Sequence, residues 1–234
     1  MNTYKHIFFD LDRTLWDFDT NNRETFREMY DHFGLLQRGI PDPVRFYDQY
    51  QQINMALWED YKQGIIEKET LNFERFHQSL LLYSVNDSKL AKEMGEWYVR
   101  LSPLKTNLYP HTLQVLETLQ RKYQLHIITN GFEEVQYIKL EKSGLKPFFS
   151  HIITSERAGF KKPDKRIFEY ALHQTGASVH ESLIIGDDPQ ADIAGGQQVG
   201  MDQIWVKHHA EGLPVEDATF CVEKLSDILD ILGS

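Results

Sequence analysis

The chain has a single cysteine, Cys221, in 234 residues. That excludes an intrachain disulfide and a cysteine-ligated zinc cluster. The lone thiol reads as a buried strand residue, the usual place of a free cysteine. No apolar run approaches the roughly 20 residues of a membrane span. The stretch before Asp10 offers only Ile7-Phe8-Phe9 in a row, too little for a signal peptide, so a soluble cytoplasmic protein is expected. Basic residues are also scarce: Lys and Arg number 25 against 35 Asp and Glu, a formal net charge of -10. Such a field does not collect on nucleic-acid backbones or anionic membrane surfaces. The ten histidines show no metal-ligand pair at helical spacing, and His208-His209 reads as an exposed loop after the last core strand. There is no internal repeat and no low-complexity segment.

What is present is an ordinary globular composition, 41% hydrophobic and 26% charged, long enough for a main domain with a smaller one inserted. Short apolar runs at Ile7–Phe9, Leu125–Thr129, His151–Thr154, Ser182–Ile185 and Gln203–Val206 lack polar alternation. That is the mark of parallel strands covered by helices on both faces. Helical stripes lie between them: Leu113, Leu116 and Leu119; Val135, Ile138 and Leu145; Ile167, Tyr170 and Ala171. Strand alternating with helix predicts an α/β fold, a Rossmann-like doubly wound parallel sheet.

The alternation breaks once, for about 100 residues after the first strand. Asn21 followed by Glu24 resembles a capping box, opening a helix that stops at Gly34. Pro43 opens a second, ending near Gly64. Residues 67–83 and 87–101 read as two more. The division expected is a catalytic core of residues 1–15 and 101–234, with a helical cap of residues 16–100. Aromatics in the cap, Phe46, Tyr47, Tyr50, Trp58, Phe73, Phe76, Trp97 and Tyr98, read as packing between helices, with one or two of them lining a substrate pocket as the alternative.

Three strands then end in polar residues. The first runs into Asp10-Leu11-Asp12-Arg13-Thr14, the second into Thr129-Asn130-Gly131, the fourth into Gly186-Asp187-Asp188 with Asp192 following. Ligands of open parallel sheets bind at the carboxyl ends of the strands, so these residues are brought to one edge. Asp10 and Asp12, two apart on an extended segment, project from one face. With Asp187 they make a carboxylate group that repels itself unless a hard divalent cation such as magnesium neutralises it. Thr129 and Asn130, just before a helix starting near Glu133, suit a phosphate. Lys162, in the loop before Pro163, supplies a positive charge at the same edge.

In order and type, these four segments resemble the haloacid dehalogenase-like hydrolase superfamily along the whole chain. The resemblance implies that Asp10 is a nucleophile that becomes a phospho-aspartate. It implies that Asp12 is the general acid and then the base, and that Thr129 and Lys162 bind phosphate. Asp10, the backbone carbonyl of Asp12, and Asp187 are the implied Mg2+ ligands. Asp188 and Asp192 are expected close behind them, with Asp192 about one turn into the following helix. The expected activity is hydrolysis of a small phosphorylated metabolite. The carboxylate at Asp12 argues against the metal-independent dehalogenases, and the intact nucleophile and acid argue against a non-catalytic binding protein. A phosphomutase shares all four segments. The stretch Thr14-Leu15-Trp16-Asp17-Phe18-Asp19 and the cap length resemble the branch containing pyrimidine 5'-nucleotidases, with sugar-phosphate phosphatases as the alternative. Trp16 and Phe18 are expected to contact the leaving group or to pack at the hinge to the cap.

Overall fold

The computed structural model describes residues 4–208 and 218–233. The chain divides into two units, one ending at Phe18 and resuming at Thr106, the other Asp19–Lys105. The expected junctions after residues 15 and 100 fall a few residues before these.

The first unit is built on six parallel strands: β1 (His6–Phe9), β2 (Gln124–Thr129), β3 (Phe149–Thr154), β4 (Ser182–Gly186), β5 (Asp202–Val206) and β6 (Phe220–Val222), in the order β3-β2-β1-β4-β5-β6. β1 lies between β2 and β4, with Phe9 opposite Ile127 on one side and Ile185 on the other. The direction of winding reverses beside β1, and that is where a doubly wound sheet opens a crevice at its carboxyl edge.

Strands β1 to β4 each serve two cores. Ile7, Phe9, Leu125, Ile127, Leu183 and Ile185 pack on one face against Val115, Leu116, Leu119 and Leu140. Phe8, Ile128, Ile153 and Ile184 pack on the other against Ile167, Phe168 and Ala171. Neighbouring side chains point to opposite faces, so burial on both explains why the runs are apolar without alternation. The edge strand β6 went unread because three residues are too few to carry a pattern. It also corrects the expectation for Cys221, which is exposed there. His208 is likewise not a free loop residue: its ring stacks on Tyr109 at 3.8 Å between centroids, and Nε2 lies 3.4 Å from the Thr14 carbonyl oxygen. His209 lies outside the described residues.

The second unit is helical. Its helices are α1 (Phe18–His32, which begins at the junction), α2 (Pro43–Lys62), α3 (Lys68–Leu81) and α4 (Ser88–Leu101). Asp42 caps α2 by accepting from the Val44 and Arg45 N–H groups, and Asp87 caps α4 through Leu90 N–H. α1 starts earlier than the Asn21/Glu24 pattern suggested. Asn21 and Asn22 are buried inside it, and Asn22 accepts a hydrogen bond from Tyr98 Oη at 2.7 Å. Phe46, Tyr50, Phe76, Trp97 and Tyr98 form the core with Phe26 and Met94. Among the described residues, no helix is long and apolar enough to cross a membrane.

Candidate active site

β1 ends at Phe9, and the chain turns at once rather than running on extended. Leu15 and Trp16 N–H both donate to the Leu11 carbonyl, Arg13 N–H donates to the Trp16 carbonyl, and Arg13 sits at φ 64°. This tight loop corrects the expectation that Asp10 and Asp12 project from one face. Their carboxylates go to different partners.

Asp10 joins a buried cluster. It is 8% exposed, and it accepts from Lys162 Nζ at 2.7 Å. Its carboxylate, with those of Asp187 and Asp192, places oxygens within 4.8 Å of one another. Asp187 follows β4 directly and is fixed from both sides. Thr14 Oγ1 donates to its Oδ1 at 2.9 Å, and the indole of Trp205 donates to its carbonyl at 2.9 Å. Asp192 stands in a wide helical turn, Pro189–Ala194, fully buried, and accepts from Lys162 Nζ at 2.5 Å. It is thus a member of the carboxylate cluster and not a neighbour behind it. Asp188 turns away to cap that same helical turn, accepting from the Gln190 and Ala191 N–H groups.

Lys162 is the cation at the centre of this group. Its ammonium donates to Asp10, to Asp192 and to the Ile128 carbonyl at 2.9 Å, which occupies its three N–H donors. Burial opposes its charge, but the two carboxylates outweigh burial and hold it above the ordinary lysine range. One ammonium cannot neutralise three clustered carboxylates, those of Asp10 and Asp192 buried and that of Asp187 half-buried. Burial raises Asp10 to about 7 despite Lys162, with Asp192 adding repulsion. Burial, then repulsion by Asp10 and Asp192, pushes Asp187 well above its usual range. A group of hard oxygen donors with this surplus of negative charge fits a divalent cation of the magnesium kind.

β2 delivers the second part. Thr129 Oγ1 accepts from the Gly131 N–H at 3.1 Å and from Gln136 Nε2 at 3.2 Å, so its own proton is free to point toward a ligand. The Asn130 side chain is committed to the backbone of Lys162, donating to its carbonyl and accepting from its N–H.

Asp12 is held by two residues that the pattern of apolar stripes passed over. Helix α5 (Glu133–Lys142) buries Gln136, Lys139 and Leu140, while Val135 and Ile138 are only half-buried and Leu145 lies beyond its end. Lys139 Nζ donates to Asp12 Oδ1 at 2.5 Å, and Gln136 Nε2 donates to Asp12 Oδ2 at 2.8 Å. The ammonium also lies over the Trp16 ring, 4.2 Å from its centroid. Trp16 is fully buried beneath it. Phe18 is half-buried, with the Arg13 guanidinium 4.5 Å from its ring centre. The one available signal was the i, i+3 spacing of Gln136 and Lys139 beside Leu140, a polar pair on an inward face.

Two glycines make room for this chemistry. A Cβ on Gly131 would fall 1.5 Å from Gln136 Nε2, and one on Gly186 would fall 2.2 Å from an Asp192 carboxylate oxygen.

Comparison with known proteins shows the family. Residues 7–206 match the family model described as haloacid dehalogenase-like hydrolase. A Bacillus subtilis protein named as a HAD-hydrolase, YfnB, is 32% identical over 100% of this chain and 97% of its own length. The pyrimidine 5'-nucleotidase PynA of Streptococcus pneumoniae is 33% identical over 98% of this chain and 95% of its own. The crystal structure of YfnB bound to magnesium superposes with a TM-score of 0.87 at 31% identity, covering 98% of each chain.

Proposed function

The chain belongs to the haloacid dehalogenase-like hydrolases, a phosphatase among them, and on that premise we propose that it is a magnesium-dependent phosphomonoester hydrolase working through a phospho-aspartate on Asp10. The observation that carries this reading is the cluster of Asp10, Asp187 and Asp192, with the buried ammonium of Lys162 paired to Asp10 and Asp192. Asp10, Asp187 and the backbone carbonyl of Asp12 would hold the metal. When bound, the metal supplies positive charge against the phosphoryl oxygens.

In the first step an Asp10 carboxylate oxygen attacks phosphorus. The bond from phosphorus to the ester oxygen breaks, and that oxygen leaves with its electron pair and takes a proton from Asp12. In the second, water attacks the same phosphorus, its proton passes to Asp12, and the bond to Asp10 breaks to restore the carboxylate. The free Thr129 hydroxyl proton suits a phosphoryl oxygen. Lys162, with its donors already placed, acts chiefly through its charge.

The substrate reading is a pyrimidine nucleoside 5'-monophosphate, supported by the similarity to PynA and to the pyrimidine 5'-nucleotidase YjjG of Escherichia coli, 31% identical over 97% of this chain and 96% of its own. The test is a panel of metabolite phosphates assayed with magnesium, alongside Asp10→Asn. Pyrimidine nucleotides should lead, and the variant should be folded and inactive. A sugar phosphate leading the panel, or an active Asp10→Asn, overturns the corresponding part of the reading.

A further inference from the structure

The carboxylate of Asp12 is a shared acceptor. One oxygen takes the Lys139 ammonium and the other takes the Gln136 amide, and the same Gln136 nitrogen also reaches Thr129 Oγ1. Lys139 is 3% exposed and Gln136 is fully buried. A buried ammonium is costly unless it is paired, and the only carboxylate that Lys139 meets among the described ion pairs is Asp12. The indole face of Trp16 closes the other side of the ammonium. Two donors set three residues apart on one helix therefore grip both oxygens of one side chain, and one of them ties it to the strand end that carries Thr129.

We propose that Lys139 and Gln136 are positioning residues for Asp12. They fix the orientation of its carboxylate for the hydrolysis of the phospho-aspartate, with Trp16 as the floor on which Lys139 rests. The inference rests on the reading of Asp10 as nucleophile and Asp12 as acid and base. Orientation matters most in the second step. There Asp12 must collect a proton from a water molecule that nothing else tethers to the protein covalently, and small displacements of a catalytic group are costly. With a good leaving group the first step needs no proton, so it depends on Asp12 least.

The experiment is rapid-mixing kinetics with 4-nitrophenyl phosphate and magnesium on the whole chain, comparing Lys139→Met, Asp12→Asn and the double variant. Methionine keeps the packing on Trp16 and removes the charge. The expected trace for Lys139→Met is a burst of nitrophenol close to that of the unaltered protein, followed by turnover slowed ~10–100-fold, the scale on which residues that orient a functional group act. The double variant should turn over no more slowly than Asp12→Asn alone, because Lys139 acts through Asp12. Equal loss of burst and turnover in Lys139→Met, full activity, or additive losses in the double variant would overturn the proposal. If Asp12→Asn itself shows no selective loss of the second step, the acid–base reading fails first, and the proposal with it. Should Lys139→Met not fold, Gln136→Leu removes the other donor without touching a buried charge, and the same burst-against-turnover split decides the matter.

Discussion

Asn130 and Lys162 are tied by a reciprocal pair of hydrogen bonds: Asn130 Nδ2 donates to the Lys162 carbonyl at 2.9 Å, and the Lys162 N–H donates to Asn130 Oδ1 at 2.8 Å. The side chain at the end of β2 thereby fixes the backbone of the loop that carries the buried ammonium. Asn130→Ala removes both bonds while leaving Lys162 in the sequence. The expected result is a fall of ~10–100-fold in kcat/KM for an aryl phosphate, as for residues that orient a catalytic group. Asn130→Asp keeps the acceptor and should recover part of the loss. Equal activity of all three proteins would show that the loop holds its place without the clamp.

Adjacent lysines should behave differently. Lys162 is buried on Asp10 and Asp192, whereas Lys161 is half-buried. Lys162→Ala is expected to lower kcat/KM by at least ~100-fold through loss of a charge at the phosphoryl group. Lys161→Ala should stay within ~3-fold of the unaltered protein, the scale of an ordinary surface change. Steady-state assays of both variants check this, and the opposite ranking would move the functional lysine by one position.

Metal and protons should compete for the carboxylate cluster. Burial, with repulsion from neighbouring carboxylates, raises Asp10 to about 7 and Asp187 and Asp192 above their usual range. The folded, chelated protein therefore binds more protons than the unfolded chain. The stability these groups contribute is complete below about pH 4 and is lost as pH rises through about 7. Magnesium replaces the protons, so the increase in Tm that it causes should grow between pH 5 and pH 8. Thermal melts with EDTA and with magnesium across that range test the point; a magnesium effect independent of pH would contradict it.

The opposite sign holds for His126. It is fully buried between His6 and His151, which border it on the neighbouring strands, and burial, with repulsion from those two rings, lowers it to about 3. The unfolded chain takes up a proton near pH 6.5 that the folded chain refuses until about pH 3, so this residue costs stability as pH falls through that interval. His126→Phe should flatten the acid side of the stability profile and leave the neutral side alone. Melts between pH 4 and pH 7.5 would show it, and an unchanged acid slope would rule it out.

The strands were legible because burial on both faces leaves an apolar run with a clear polar end, and those ends carried Asp10, Thr129 and Asp187 to one edge. The helices of the second unit were legible through Pro43 and the glycine stops at Gly34 and Gly64, while the caps at Asp42 and Asp87 came to light only in the structure. What escaped was local geometry that no period encodes. The turn after Asp10 separates two carboxylates that an extended chain would hold together. The wide turn at Pro189–Ala194 returns Asp192 to the cluster and spends Asp188 on capping. Lys139 and Gln136 escaped because a search for hydrophobic stripes looks past a helix whose inward face is polar.

The spaces left by Gly131 and Gly186 extend the list of sensitive positions to residues with no chemistry of their own. Neither glycine has a left-handed backbone; each matters because Gln136 or Asp192 already occupies the volume where its first side-chain carbon would stand. A saturation scan for phosphatase activity should therefore record two silent-looking sites where even alanine fails. The pattern of tolerance along β2 and β4 would then trace the outline of the site in negative, by the atoms it has no room to admit.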